Sequence, residues 1–419
     1  MSADAVSSRP APPRRRALTT IFITVLLDLI GFGMILPLLP FYGQELQASA
    51  FEIGLLFSSY SLAQLVFAPL LGRLSDRTGR RPVLLVSIAG SVAAYLLFAA
   101  ADSFLVLLLA RTLSGIAASN YAIAQAYVAD VSSREGRSQA MGLIGAAFGI
   151  GFVLGPALGG LLAHLGSAGA LVHLGHRLIP LTAAVLSAVN LVFALFWLPE
   201  SLSAELKGRS RQGSWLDFAD LRAAWGHAPL RGLMLLYFLV LFCFSMMEAT
   251  LALFCQDRFG FGTPQTAWLF VYVGVMLVVV QGGLLGRLVR RFGERRLILS
   301  GIFLMAAGLA LLPFAPASEP PVGAALALML SSLALLAVGQ GMNQPSTLGL
   351  LSRMTDDSSQ GSTIGLTRSF GALARALGPA AGTWIFGVAG SGWPFWTAGG
   401  LMLVALALAA SVLQDTPAV

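Results

Sequence analysis

Apolar residues in this chain come in long blocks, and polar ones gather in the gaps between them. Roughly 20 apolar residues in a helix cross a bilayer core, where lipid offers no partner to an unpaired backbone N–H or C=O. By that measure the blocks at 18–41, 53–74, 82–101, 104–128, 139–163 and 179–198 are membrane helices. Six more follow at 231–255, 265–288, 297–315, 323–351, 361–389 and 394–414. The longest polar stretch, Pro199 to Pro229, separates the two sets. The pattern predicts an all-α membrane protein with twelve transmembrane helices in two six-helix bundles, 18–198 and 230–414, joined by a linker over 199–229. Tails at 1–17 and 415–419 flank them, the first Pro-rich and expected to be disordered. The first block is too long for a cleavable signal sequence and carries Asp28 within it.

Composition agrees. Of 419 residues, 57% are hydrophobic and 11% charged, which is too little polar surface for a water-soluble fold of this size. A net charge of +7 would suggest nucleic acid in a soluble protein, but here the placement of the charges decides. Arg14 to Arg16, Arg73, Arg77, Arg80, Arg81, Arg134, Arg137 and Arg231 fall in gaps on one side, as do Arg287, Arg290, Arg291, Arg295, Arg296 and Arg353. The linker adds Lys207, Arg209, Arg211 and Arg222, while the other side keeps only Arg177 and Arg258. This asymmetry places both termini in the cytoplasm and makes the bilayer, not nucleic acid, the partner. Lys207 is the only lysine, a bias expected of a GC-rich bacterial genome and hence of an inner membrane. Cys243 and Cys255 lie about 18 Å apart along one predicted helix, too far to bridge. His164, His173 and His176 share one outer gap without a supporting thiol or acid, so no metal is expected. No nucleophile set, metal framework or phosphate loop argues for an enzyme.

The two halves echo each other. Gly72-Arg73-Leu74 with Gly79 and Arg81 is matched by Gly286-Arg287-Leu288 with Gly293 and Arg295, and Gly155-Pro156 by Gly378-Pro379. Paired six-helix halves usually enclose a substrate site at mid-membrane, with access alternating as one half rocks on the other.

Several motifs carry a family resemblance. The gap after the second helix reads Gly72-Arg73-Leu74-Ser75-Asp76-Arg77-Thr78-Gly79-Arg80-Arg81, which resembles the cytoplasmic signature of the major facilitator superfamily at every position. The resemblance implies a gate in which Gly72, Asp76, Arg77, Gly79, Arg80, Arg81 and Asp130 take part, with Asp76 set against the N-terminus of the eleventh helix. The second copy carries Arg290 where Asp76 stands, so only one such latch is expected. The fourth helix, Leu109-Ala110-Arg111-Thr112-Leu113-Ser114-Gly115 through Asn120, Tyr121 and Gln125 to Asp130, is similar to the family's second motif, whose buried arginine takes part in proton coupling. Gly151, Gly155, Pro156 and Gly159 resemble the glycine motif of the antiporter branch. Small-residue packing would explain those glycines equally well, and the order of motifs along the first half favours the antiporter. Asp28-Leu29-Ile30-Gly31-Phe32-Gly33 before Leu36-Pro37 resembles the start of tetracycline-type drug:proton antiporters. Positions where those exporters carry polar residues for their drug hold Ala94, Leu277 and Met305 here, so that substrate is not implied.

Ionisable residues inside a span are costly and mark function. Asp28 lies about 15 Å deep and Arg111 about 10 Å from the opposite face, a difference of about 5 Å in level. Burial favours the neutral acid and a nearby guanidinium the carboxylate, so a carboxylate moving between such environments exchanges protons. Asp28 and Arg111 are therefore the expected coupling residues, and a permanent structural pair is the alternative. Glu248 and Arg375, both in the outer half of the membrane, are expected either to pair or to bind substrate. Arg368 is expected to snorkel to the surface. Tyr60, Gln64, Tyr121, Gln125, Phe244, Met247, Gln281, Gln340, Asn343 and Gln344 suggest an amphiphilic cavity. The expectation is a monomeric, proton-coupled exporter of a small lipophilic or amphipathic compound, with no cofactor beyond the proton. Uptake or facilitated diffusion on the same fold, and a non-transporting sensor, are the alternatives.

Overall fold

The computed structural model describes residues 14–133, 136–167, 174–202, 226–318, 323–355 and 360–414. Most of the linker, the outermost tails, Arg134 and His173 lie outside the described residues. Fourteen α-helices account for almost all of the rest. They are α1 (Arg14–Ile35), α2 (Leu39–Glu45), α3 (Ala50–Thr78), α4 (Arg80–Ala99), α5 (Phe104–Ala117), α6 (Asn120–Val131), α7 (Arg137–Ser167) and α8 (Leu178–Trp197) in the first half. The second half has α9 (Ala228–Phe259), α10 (Thr263–Val278), α11 (Leu285–Leu311), α12 (Ala324–Arg353), α13 (Gln360–Ala389) and α14 (Trp393–Gln414). A π-helical turn, Val279–Leu284, joins α10 to α11.

Among the described residues ten helical runs are long and apolar enough to span a membrane. One of them, Thr263–Phe314, breaks at Gly293 (φ 76°) into two crossings. The 30-residue α13 completes the set of twelve expected from the sequence. Within the described residues α1 already runs from Arg14 and Ala17 is buried, so residues 14–17 belong to the first helix.

Two spans are broken where the blocks looked continuous. Pro37 supplies no N–H to continue the helical ladder, so α1 stops at Ile35 and, after a turn, the chain restarts as α2. The fourth span divides at Ala118–Ser119, and the Ala118 carbonyl accepts from Gln64 Nε2 of α3 (3.2 Å). Helix α3 begins with a capping box: Ser49 N–H donates to the Glu52 carboxylate (2.7 Å), and Ser49 Oγ accepts from Glu52 N–H (3.3 Å).

Each half packs its fifth span on its first. In α7, a Cβ at Gly151 would meet Leu29, one at Gly155 would lie 2.7 Å from Gly33 Cα, and one at Gly159 would lie 2.8 Å from the Met34 carbonyl. In α13, Gly371, Gly378 and Gly382 face Tyr237, Ser245 and Met246 of α9. Small residues let the helix axes close in lipid, where apolar side chains gain little by meeting each other.

Apolar packing between the halves is concentrated at one end. Most of the arginines gather at the end where α3 and α12 finish and α1 and α9 begin; this is the basic end. At the far end one apolar cluster is shared by both halves: Met34, Tyr42, Ile53 and Leu56 pack with Ala249 and Leu253. There Gly54 of α3 lies against Pro379 and Thr383 of α13, and Gly160 of α7 against Ala267 of α10. Toward the basic end the apolar clusters belong to one half each. Cβ atoms at Gly72, Gly142, Gly145, Gly282, Gly286, Gly361 and Gly365 would meet nothing within 4 Å. Exposed Val86, Phe196, Trp268 and Val388 present the apolar exterior that lipid requires.

Candidate functional site: the cavity between the halves

A cavity of about 780 Å³ lies between the halves. Its wall takes Asp28, Tyr60, Gln64, Arg111, Tyr121 and Gln125 from the first half, and Phe244, Glu248, Gln281, Gln340, Gln344 and Arg375 from the second. Two expected members do not line it. Met247 is packed in the core of the second half, because one residue before Glu248 it points some 100° away from that cavity-lining side chain. Asn343 faces α11 and donates to the Ile298 carbonyl (3.3 Å). Of the three drug-site positions weighed earlier, Leu277 lines the wall while Ala94 and Met305 are fully buried.

Asp28 is held by amides rather than by a cation. Asn120, the first residue of α6, donates through Nδ2 to Asp28 Oδ2. Asn190 of α8 donates through its own Nδ2 to Asp28 Oδ1 (3.2 Å) and to the Thr24 carbonyl (3.0 Å). The direct bridge to Arg111 suggested by their depths is not made in this conformation. Arg111, 2% exposed, donates instead through Nε to the Leu56 carbonyl (3.4 Å), with its guanidinium 4.6 Å from the Tyr60 ring centre. Tyr60 in turn stacks on Phe32 (5.0 Å). The backbone of Tyr60 presses on Gly115, where a Cβ could not fit, and this sets α5 close to α3.

Across the cavity, Glu248 and Arg375 both line the wall without forming an ion pair. Among the described residues the ion pairs are Arg80 with Asp76 and Asp130, and Arg353 with Glu294. His176 lies against the Glu45 carboxylate and, at a tilt, against the Tyr42 ring (centroids 4.1 Å). Arg368, expected to reach the surface, instead spans the halves and donates to Gln125 Oε1 (2.8 Å).

At the basic end the signature residues form a tie within the first half. Gly79 takes φ 113°, a left-handed conformation open to glycine, and turns α3 into α4. Arg80 then reaches Asp76 (2.6 Å), Asp130 at the end of α6 (3.1 Å) and Ser75 Oγ (2.7 Å). Arg81 donates to the Leu195 carbonyl (2.7 Å), and Arg77 is exposed. Asp76 thus engages Arg80 in this conformation, and Gly72 faces open space.

Sequence reasoning passed over Glu200 and Asn190. The Glu200 carboxylate accepts from the N–H groups of Arg80 (2.9 Å) and Arg81 (3.3 Å) and so caps α4. The signal was there: Gly79 offers no side chain to the orphan N–H groups of α4, so an acceptor had to come from elsewhere. Asn190 was the one amide in an otherwise strongly apolar span, the kind of residue that needs a partner.

Comparison with known proteins places this architecture. The family model described as Major Facilitator Superfamily matches residues 21–335 and 282–419. The human Major facilitator superfamily domain-containing protein 10 is 32% identical over 94% of this chain and 92% of its own length. The Escherichia coli tetracycline resistance protein, class C, is 33% identical over 90% of this chain and 91% of its own. Among solved structures, the human organic anion transporter MFSD10 superposes with a TM-score of 0.67 at 32% identity, covering 95% of this chain and all of that one. The nucleoside transporter NupG shares the fold, with a TM-score of 0.76 at 13% identity over 96% of this chain and all of that one.

Proposed function

Because the chain belongs to the major facilitator superfamily and is a membrane transporter, not an enzyme, we propose that it exports a small lipophilic or amphipathic compound in exchange for protons. The observation that carries this reading is Asp28, a carboxylate on the wall of the shared cavity that has two amide donors and no cation. A carboxylate removed from water without a counter-charge is costly and gains by binding a proton, which is the property a coupling residue needs. Arg111 acts as its regulator through Tyr60 rather than by direct contact. We place the protein in a bacterial inner membrane as a monomer, with the basic end and both termini in the cytoplasm; the conformation described is then open inward and sealed at its outer end. Closing the basic end while the far end parts would expose the cavity outside. The wall is mixed, with Phe32, Phe57, Phe148 and Phe152 beside glutamines and tyrosines, and suits an amphipathic molecule better than a sugar or a simple ion.

In proteoliposomes with an imposed pH gradient, a substrate panel should identify compounds whose export is accompanied by proton movement in the opposite direction. Asp28→Asn keeps the shape and one amide-compatible oxygen but cannot exchange a proton. Uphill export should fall to the uncoupled level while substrate binding persists. Full proton-driven export by well-folded Asp28→Asn protein would remove this residue from the mechanism.

A second reading concerns the substrate's charge. Arg111, Arg368 and Arg375 line the cavity against two acids, Asp28 and Glu248. This excess favours an anionic group on the substrate, in keeping with a relative named as an organic anion transporter. Arg375→Gln should then weaken anionic substrates about tenfold and leave neutral ones unchanged, the loss expected for one charge-assisted hydrogen bond. Equal weakening of both classes, together with rescue by Glu248→Gln, would mark Arg375 as a structural partner of Glu248 instead.

A further inference from the structure

The two amides that hold Asp28 are not equivalent. Asn190 is fully buried, does not line the cavity, and is fixed by a second bond to the Thr24 carbonyl of α1. Asn120 is on the cavity wall, 7% exposed, and begins α6 directly after the break in the fourth span. Its Nδ2 is committed to Asp28, which leaves its carboxamide oxygen and its second N–H for whatever occupies the cavity. One amide is thus an anchor, and the other stands between the carboxylate and the substrate space.

We propose that Asn120 is the residue that reports the protonation of Asp28 to the substrate, by rotation of its side-chain amide. The inference rests on the proton-coupled reading of Asp28. An ionised carboxylate only accepts hydrogen bonds, so it takes the Asn120 N–H, and the amide oxygen is presented to the cavity. A protonated acid carries an O–H, which donates to that same amide oxygen. The amide turns over, and an N–H now faces the cavity. A substrate that offers a hydrogen-bond donor at this point, such as an amine, amide or hydroxyl, is accepted when Asp28 is ionised and refused when it is protonated. That is the sign exchange requires: proton and substrate exclude each other, and by linkage each weakens the other to the same degree. No covalent step is involved, and the proton moves only between bulk water and the Asp28 carboxylate.

The surroundings leave this role to Asn120. The ionisable groups that sense the charge of Asp28 are Tyr60 of α3 and Tyr95 of α4, with Arg111 of α5 beside Tyr60, while Asp28 itself is held by burial and the two amides. Helix α7 packs there through Gly151 against Leu29, and α6 and α8 contribute the asparagines. Asn120 is therefore a positioning residue, reading one titratable group on behalf of the cavity.

The test needs no substrate. Purified full-length protein, with asparagine isotopically labelled in the side-chain carbonyl, is followed by pH-difference infrared spectroscopy. A protonated-acid band should grow as the pH falls and be missing in Asp28→Asn. A labelled amide band should shift with the same midpoint. That amide shift should be lost in Asn120→Leu (or in Asn120→Ser, should the leucine variant not fold) and kept in Asn190→Leu. An acid band that titrates while the Asn120 amide band stays still would overturn the proposal and leave proton coupling intact. If no Asp28-dependent acid band titrates at all, the proton-coupled reading fails, and this inference fails with it.

Discussion

The two halves tie their basic ends at the same place with opposite charges. In the first half the residue after the left-handed Gly79 is Arg80, which binds Asp130 at the end of α6. In the second, the residue after the left-handed Gly293 is Glu294, which binds Arg353, the last residue of α12 (2.8 Å). What the fold repeats is a turn that only glycine makes easily, followed by a link between the third and fourth spans of the half. The sign of that link is not part of the repeat. The ties differ in size rather than in the depth of the residue after the glycine. Arg80 and Glu294 are each 9% exposed, but Arg80 meets two acids, with the cap Glu200 bound to its own backbone, whereas Glu294 meets only the half-exposed Arg353. The first tie is a network built around a buried cation. The second is a single pair.

Inverting the first tie is the most damaging way to test that contrast. Arg80→Glu places a fourth carboxylate among Asp76, Asp130 and Glu200. Breaking a buried pair in this way typically costs about 3–5 kcal/mol, so thermal unfolding in detergent should fall sharply or folded protein should be lost. Adding Asp130→Arg copies the second half's polarity and should restore part of the loss. An Arg80→Glu protein as stable as the parent would show that the network does not hold the first half together.

A smaller effect is expected where the halves pack their fifth span on the first. A methyl at Gly155 meets the backbone of Gly33, which cannot give way, whereas one at Gly371 meets the Tyr237 and Leu241 side chains, which can turn. Gly155→Ala should therefore destabilise by about 1–3 kcal/mol and Gly371→Ala by clearly less. Matched unfolding curves would decide it, and equal losses would mean that both contacts are equally rigid.

Least is expected at the second tie. Glu294→Gln leaves Arg353 to water, so the loss should be about 1 kcal/mol or less. The doubly reversed Glu294→Arg, Arg353→Glu protein should match the parent, since the sign of the link is not what the turn requires. Failure of that reversal to recover stability would show that the second half, too, depends on its own polarity.

Much of this was legible in the order of residues. The blocks of apolar residues gave twelve crossings because lipid leaves the backbone no alternative to a helix, and a hydropathy pattern reads that constraint directly. The placement of arginines gave the basic end, and the glycine echoes gave two related halves. Asp28, Glu248 and Arg375 stood out because charge in a span is rare enough to need a reason. Which side chains meet was another matter. Depth along a helix put Asp28 and Arg111 within reach, but reach is not contact: the arginine turned to the Leu56 carbonyl and the Tyr60 ring, and the acid took its partners from Asn120 and Asn190.

The set of spans, their division into halves and the short list of costly charges follow from residue order alone, because each reflects local composition against a bilayer. Packing in three dimensions settled that Met247 and Asn343 turn away from the cavity, that Glu200 closes α4 from 120 residues away in the chain, and that the apolar seal between the halves forms at the far end. Those outcomes depend on how helices rotate and lean against one another. Rotation about a helix axis costs the sequence pattern nothing in lipid, where several faces are apolar, so it is settled by the packing of glycines such as Gly155 on Gly33 and by which buried polar groups find partners.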